Sequence, residues 1–154
     1  MPPAPFTLLL VEDDLADAAL FQDLLLDVAP DIHVHHVGNG QEALDFLTTT
    51  GPAGAPRPGL IVLDLNMPVM NGHDFLALVK GMPGLRSIPV LVLSTSEHPQ
   101  DIYQSYDQQA SGYAVKPGNF QEYTQMLETV LGYWRGTLRL PSIEEVAHRV
   151  NRTT

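Results

Sequence analysis

Two hydrophobic patterns alternate along the chain, and they predict its secondary structure. Short apolar runs such as TLLLV at Thr7–Val11 and LIVL at Leu60–Leu63 contain no charged residue. Such runs are typical of strands that are buried on both faces of a parallel sheet. Between the runs lie longer segments with apolar residues at helical spacing. The predicted strands are 7–11, 32–37, 60–63, 89–93 and 112–115.

Capping residues and prolines set the expected ends of the helices. Asp14 is the predicted N-cap of the first helix, which Pro30 ends, and Asn119 with Glu122 three residues later opens the last helix. The predicted helices are 15–28, 41–48, 73–82, 100–109 and 119–135. Strands that alternate with helices indicate an α/β fold, a doubly wound five-stranded parallel sheet with right-handed crossovers.

Composition narrows the classes of function. Eighteen Asp and Glu against eight Lys and Arg give a net charge of −10, and the few arginines near the end form no basic patch. Because such a surface repels phosphate backbones, we expect no binding to nucleic acid. The absence of cysteine excludes disulfides and thiol chemistry. No signal peptide and no apolar run near the ~20 residues of a membrane helix is present, so we expect a cytoplasmic protein away from the membrane.

Polar side chains that suit chemistry stand where the predicted strands end. Glu12 and Asp13 follow the first strand, Asp64 the third, Ser94 the fourth and Lys116 the fifth. In doubly wound sheets the functional crevice lies at the carboxyl ends of the strands, so these residues are expected to meet. Carboxylates that converge repel one another unless a cation lies among them, and with oxygen ligands alone the natural cation is Mg²⁺.

The expected cluster suits transfer of a phosphoryl group to an Asp. A metal ion and an ammonium group neutralise the phosphoryl oxygens, a hydroxyl donates a hydrogen bond, and a carboxylate attacks. The chain has neither a GxxxxGK[ST] loop nor a GxGxxG motif, so binding of ATP or NAD is not indicated.

Four segments carry a resemblance to a known family. LLVEDD at Leu9–Asp14, LIVLDLNMPVMNG at Leu60–Gly72, IPVLVLSTS at Ile88–Ser96 and SGYAVKP at Ser111–Pro117 resemble, in order and spacing, the response-regulator receivers of two-component systems. The resemblance covers about residues 6–135. It implies the flavodoxin-like receiver fold and a phosphoacceptor that takes its phosphoryl group from a sensor histidine kinase. Such a domain catalyses only its own Mg²⁺-dependent phosphorylation and slow dephosphorylation.

The resemblance also implies roles for single residues. Asp64 is expected to be the phosphoacceptor and a metal ligand. Asp13 is expected to bind the metal directly, Glu12 through water, and Asn66 through its backbone carbonyl. Lys116 stands at the family's lysine position.

Two further residues stand at the positions that change conformation in the family. Ser94 matches the switch hydroxyl, and Tyr113 matches the aromatic switch position, although a packed core aromatic is an equal alternative for it. The resemblance further implies a cis bond between Lys116 and Pro117.

Other functions are weighed against phosphoacceptance. An aspartyl phosphatase usually keeps an acidic residue two positions after its nucleophile, where this chain has Asn66, so a general acid is missing. A receiver-like binding module that is never phosphorylated is the alternative, but such a module would have lost Asp64, Lys116 or the acidic pair. Taken singly, Glu12 has the alternative of a first-turn acid of the next helix, which the helix dipole favours.

The histidines are expected to lie outside the site. His33, His35 and His36 fall on the second strand with no carboxylate pattern beside them, which indicates a solvated face. His73 follows the loop after Asp64, and we do not expect it in the pocket.

Residues 136–154 form a C-terminal extension that is too short for a separate output domain. Ser142 and Glu145 form a capping box that predicts a short amphipathic helix there. The YW…LRLP pattern at Tyr133–Pro141 is similar to the single-domain regulators that accompany bacterial phytochromes. That similarity implies a phytochrome as the kinase and a homodimer, with Trp134 as its anchor, although packing on its own domain is the alternative for this Trp.

Overall fold

The computed structural model describes residues 6–49 and 54–141. Its strands are β1 Thr7–Val11, β2 His33–Val37, β3 Leu60–Leu63, β4 Val90–Ser94 and β5 Gly112–Val115. Its helices are α1 Leu15–Val28, α2 Gly40–Thr48, α3 Gly72–Gly81, α4 Pro99–Asp107 and α5 Phe120–Leu131, with a π-helical segment at Gly132–Thr137. These bounds agree with the predicted ones to within one or two residues, apart from the end of α5. The helix predicted at Ser142 and Glu145 lies outside the described residues.

The five strands form one parallel sheet in the order β2-β1-β3-β4-β5. β1 pairs with β2 on one side and β3 on the other, with Leu8 opposite Val34 and Leu60. The prediction of a doubly wound sheet is therefore confirmed. The connection from β1 to β2 leads to one side of β1, and the connection from β2 to β3 leads back to the other side. The carboxyl ends of β1 and β3 therefore border the crevice that forms where the strand order reverses.

Two apolar clusters, one on each face of the sheet, hold the helices in place. Leu8 and Leu10 of β1 pack in one cluster with Phe21 of α1, and Leu9 lies in the other cluster with Phe75 of α3. Successive residues of one strand thus point to opposite faces, as the strand geometry requires. Burial on both faces explains why β1, β3 and β4 contain such uniformly apolar sequences.

The predicted helix caps are confirmed. Asp14 Oδ1 accepts a hydrogen bond from Asp17 N–H at 3.0 Å, and Asn119 Oδ1 accepts one from Glu122 N–H at 2.8 Å. These side chains satisfy backbone amides that have no partner within the helix.

The predicted end of the last helix is corrected. The α-helical geometry stops at Leu131, and the chain continues as a π-helical segment to Thr137. Gly132 and Gly136 lie in this segment and lower its helix propensity. Arg135 forms an ion pair with Asp31, which attaches the segment to the turn between α1 and β2. None of the helices among the described residues is long and apolar enough to cross a membrane.

The expectation of a fully solvated histidine face on β2 holds only in part. His33 and His35 are exposed, and the His35 ring stacks on Phe46 with the ring centroids 4.0 Å apart. His36 is half-buried, and its Nε2–H donates to the backbone carbonyl of Glu12 at 2.7 Å. His36 therefore supports the β1–α1 loop.

Candidate functional site

Three carboxylates meet at the carboxyl ends of the two central strands. One carboxylate oxygen each from Glu12, Asp13 and Asp64 lies within 4.8 Å of the other two. Glu12 is only 3% exposed, Asp64 is half-buried and Asp13 is exposed, so the cluster opens to solvent on the side of Asp13. Backbone pairing brings the loops together, since Asp64 N–H donates to Val11 O at 3.0 Å. The structure thus brings together the three carboxylates that the sequence predicted at this edge.

Burial and crowding perturb these acids. Burial, and after it the close approach of the Asp64 carboxyl, raises the pKa of the Glu12 carboxyl. The pKa of Asp13 is also raised, by loss of solvent and by the neighbouring charge of Glu12. Both directions mean that negative charge is costly here. A bound cation would offset that cost, and three carboxylate oxygens fit a hard divalent ion.

Lys116 supplies the positive charge of the site. Its Nζ donates to Glu12 Oε1 at 2.5 Å and to Asp17 Oδ2 at 3.2 Å. Burial opposes the charge of this ammonium group, but the bond to Glu12 and the charge of Asp64 outweigh it and raise the pKa of Lys116. The lysine therefore stays protonated beside the carboxylates.

Asp17 was missed by the sequence analysis. It lies in the first turn of α1, where an acid is usually explained by the helix dipole alone. The sequence feature that could have identified Asp17 is its position in the first turn of a helix that begins directly after Glu12 and Asp13.

Ser94 and Tyr113 are connected through a third residue, Ser96. Ser94 is fully buried at the end of β4, and its Oγ accepts a hydrogen bond from Ser96 N–H at 3.1 Å. The half-buried Tyr113 donates from its hydroxyl to Ser96 O at 2.8 Å. The end of β4 is also joined to β5, since Lys116 N–H donates to Ser94 O at 2.8 Å. The loop after β4 thus contacts both predicted switch residues.

A polar network ties this loop to α3 and α4. Ser96 Oγ–H donates to Asp101 Oδ2 at 2.6 Å, and His73 Nε2 lies 3.2 Å from Asp101 Oδ1. The hydrogen bond from Ser96, followed by the one from His73, lowers the pKa of Asp101. His73 Nδ1 also lies 3.1 Å from Gln108 Oε1. His73 therefore connects α3 with α4, and its interaction partners here are Asp101 and Gln108.

Asn66 lies exposed in the loop between β3 and α3, two residues after Asp64. Val69 in the same loop has φ of 68°, a left-handed conformation that is unusual for a β-branched residue.

The prediction of a cis bond between Lys116 and Pro117 is wrong, because no cis peptide bond occurs among the described residues. Trans is the intrinsically favoured form of an X–Pro bond, and Lys116 reaches Glu12 with this geometry.

Gly72 lets the loop after β3 close tightly on α3. A Cβ atom at this position would lie 2.6 Å from the Asp64 carbonyl oxygen and 2.6 Å from Leu65 Cα. Both are backbone atoms, which cannot rotate away. We expect Gly72→Ala to lower the free energy of unfolding by about 1–3 kcal/mol, measured by urea denaturation.

Gly81, at the other end of α3, is the matched control. A Cβ there meets nothing within 4 Å, so Gly81→Ala is expected to be neutral or to stabilise by up to ~1 kcal/mol. Equal effects of the two substitutions would contradict the role of Gly72 as a close-contact position.

Trp134 packs on its own domain. It is half-buried against the cluster formed by α1 and α5, and its ring meets Tyr133 edge-on with the centroids 5.5 Å apart. The alternative of intramolecular packing therefore accounts for the contacts of this side chain. The homodimer stays a prediction.

Comparisons with known proteins agree with the geometry. The model of the response regulator receiver domain matches residues 8–128. Response regulator Rcp1 from Synechocystis sp. is 37% identical over 139 residues, which are 90% of this chain and 95% of Rcp1. The structure of the phosphorylated cyanobacterial phytochrome response regulator RcpA superposes with a TM-score of 0.83 at 40% identity, over 90% of this chain and all of that one.

A Mn²⁺-bound structure of Rcp1 superposes with a TM-score of 0.80 at 37% identity, over 90% of this chain and 100% of that chain. Rcp1 is thus a relative that binds a divalent metal, and in this chain Glu12, Asp13 and Asp64 form a cluster that could hold such an ion. The matched family model, the parallel sheet and the acidic cluster agree, and the chain belongs to the response regulator receiver domains, the phosphoacceptor modules of two-component signalling.

Proposed function

We propose that Asp64 accepts a phosphoryl group from the phosphohistidine of a sensor histidine kinase, with Mg²⁺ bound in the acidic cluster. The observation that carries this proposal is the convergence of Glu12, Asp13 and Asp64 within 4.8 Å, beside the ammonium group of Lys116. When a metal ion and the ammonium group neutralise the phosphoryl oxygens, a half-buried carboxylate in a cluster that opens to solvent is a suitable nucleophile for phosphorus.

The chain's oxygen ligands would hold the metal ion. Asp13 and Asp64 would bind it directly, Glu12 through water, and Asn66 through its backbone carbonyl. When bound, Mg²⁺ neutralises negative charge on the phosphoryl oxygens.

The protein's own groups perform the transfer. A carboxylate oxygen of Asp64 attacks phosphorus, the P–N bond to the kinase histidine breaks, and the electron pair returns to the imidazole nitrogen. Lys116 Nζ and Ser94 Oγ bind phosphoryl oxygens as the new acyl phosphate forms. In this structure Lys116 Nζ donates to Glu12 and Asp17, and the phosphoryl oxygens would compete with both for the ammonium group. Ser94 Oγ would shift away from Ser96 N–H as it moves toward the phosphoryl group.

These exchanges would transmit the signal. When Ser94 turns to the phosphoryl group, the hydrogen bond from Ser96 N–H to Ser94 Oγ would break. The Tyr113 hydroxyl donates to the carbonyl of the same Ser96, so a shift of Ser96 would also move the Tyr113 ring. The phosphate would thereby shift the loop and the ring together between two states. The changed face would act on another protein.

Release of the phosphate should be slow, because the acid position of aspartyl phosphatases is Asn66 here. The chain is therefore proposed to be a signalling domain with no separate substrate. The alternative, a binding module that is never phosphorylated, is disfavoured by the complete set of Asp64, Lys116 and the acidic pair.

The kinase is proposed to be a bacterial phytochrome, and this chain is proposed to act in the cytoplasm. This rests on the similarity to RcpA and Rcp1, of which RcpA is described as a phytochrome response regulator. We also propose that residues 6–135 form the receiver and that residues 136–154 take part in a homodimer. The exposed Tyr133 next to Trp134 offers an apolar surface for that contact.

Intact mass spectrometry after incubation with acetyl phosphate tests the proposal. The protein with Mg²⁺ is expected to gain the mass of one phosphoryl group, and the protein with a chelator is expected to gain none. Absence of the adduct, together with failure to bind berylliofluoride, would favour the binding module instead.

A further inference from the structure

The ammonium group of Lys116 forms ion pairs with two carboxylates. One is Glu12, a member of the acidic cluster, and the other is Asp17, which lies on α1 outside that cluster. We propose that Asp17 is a positioning residue that holds Lys116 in the unphosphorylated arrangement and so limits how readily the lysine binds the phosphoryl group. This inference rests on the proposed function and extends it to a residue that the resemblance does not assign.

The geometry separates this role from an ordinary capping role. An acid in the first turn often reaches back to the backbone amide of the N-cap residue. Here the amide of the N-cap Asp14 donates to Glu12 Oε2 at 3.3 Å, and Asp17 Oδ2 instead lies 3.2 Å from Lys116 Nζ. The carboxylate of Asp17 is thus directed across the site, from α1 to the end of β5.

Burial gives this contact its influence. The side chain of Lys116 is 11% exposed, whereas that of Asp17 is 47% exposed. Asp17 also lines a small cavity, of about 10 Å³, whose lining includes Asp64 and Lys116. A lysine with so little contact to water has few alternative hydrogen-bond acceptors. When the Asp17 carboxylate is removed, the ammonium group therefore binds more often to the acceptors that remain.

The sign of the effect follows from the two states. Phosphorylation offers Lys116 a new acceptor, the phosphoryl oxygens, which compete with Glu12 and Asp17 for the position of the ammonium group. A contact that is made in the unphosphorylated state and weakened in the phosphorylated one opposes the transition. Removing the charge of Asp17 should therefore favour the phosphorylated state.

Binding of berylliofluoride in the presence of Mg²⁺, followed by ¹⁹F NMR, measures this balance. Asp17→Asn is expected to lower the dissociation constant by about two- to fivefold, the range that partly exposed ion pairs support. Asp17→Glu is expected to return it toward the wild-type value. Asp23→Asn, on the exposed face of the same helix, makes the same change in charge and is expected to leave the constant unchanged.

A double-mutant cycle with Lys116→Met shows whether Asp17 acts through the lysine. In that background Asp17→Asn is expected to have no effect. An equal tightening there would overturn the inference in favour of a general charge effect, and an unchanged or weaker affinity of the single Asp17→Asn variant would overturn it as well. Failure of the wild-type protein both to bind berylliofluoride and to become phosphorylated would instead overturn the proposed function.

Discussion

Asp64→Asn is expected to abolish the phosphoryl adduct formed with acetyl phosphate and Mg²⁺. The amide nitrogen and oxygen of Asn carry no negative charge, so the nucleophile is lost while the shape of the side chain is kept. We expect the rate of phosphorylation to fall by about a hundredfold or more. Intact mass measured against time gives this rate directly.

Asp23→Asn is the control for the change in charge, because Asp23 lies exposed on α1, away from the acidic cluster. This variant should be phosphorylated at the wild-type rate. If Asp64→Asn became labelled at that rate too, Asp64 would not be the acceptor. Loss of labelling in both variants would point to a general effect of charge.

Asp13→Asn is expected to weaken the binding of Mg²⁺ at least about tenfold, which corresponds to ~1.4 kcal/mol. Asp13 contributes one of three carboxylate oxygens that lie within 4.8 Å of one another, and a neutral amide attracts a divalent cation far less. The Mg²⁺ concentration that gives half-maximal phosphorylation should rise accordingly, and calorimetric titration with Mg²⁺ should show the same loss.

The neighbouring residue provides a matched control. Asp14 is the N-cap of α1, and Asn is an equally good N-cap, so Asp14→Asn removes the same charge without removing the cap. We expect this variant to bind Mg²⁺ almost as the wild type does. Equal losses in the two variants would contradict a specific site at Asp13 and indicate long-range attraction of the ion.

The strands and the acidic edge could be predicted from the sequence because local patterns determine them. An uninterrupted apolar run such as Leu60–Leu63 is typical of a strand buried on both faces of the sheet, and the residue that follows it lies at the carboxyl end of that strand. The topology then places Glu12, Asp13 and Asp64 together whatever the details of their loops. The caps at Asp14 and Asn119 were predictable for the same reason, since they act within one turn.

Contacts between elements were not predictable in this way. The bond of His36 to Glu12, the bond of Asp17 to Lys116 and the bond of Ser96 to Asp101 depend on side-chain directions and on loop paths. A sequence pattern contains neither. Ser96 in particular has no distinguishing spacing, although it contacts both Ser94 and Tyr113.

Two predictions were wrong, the end of the last helix and the cis isomer of the bond between Lys116 and Pro117. The sequence predicts a last helix that continues to Arg135, but the α-helical geometry ends at Leu131, and Gly132 and Gly136 lower the helix propensity of the segment that follows. The bond before Pro117 was expected to be cis from the resemblance alone. No feature of the residues near Lys116 required that isomer.

The central claim, that Asp64 is the acceptor, is tested most directly by trapping the acyl phosphate with borohydride. Reduction converts a phosphorylated aspartate into homoserine, and peptide mass spectrometry then locates the altered residue. After reaction with acetyl phosphate and Mg²⁺, we predict homoserine at position 64 and at no other aspartate. Homoserine at position 13 or 17, with position 64 unchanged, would contradict the account.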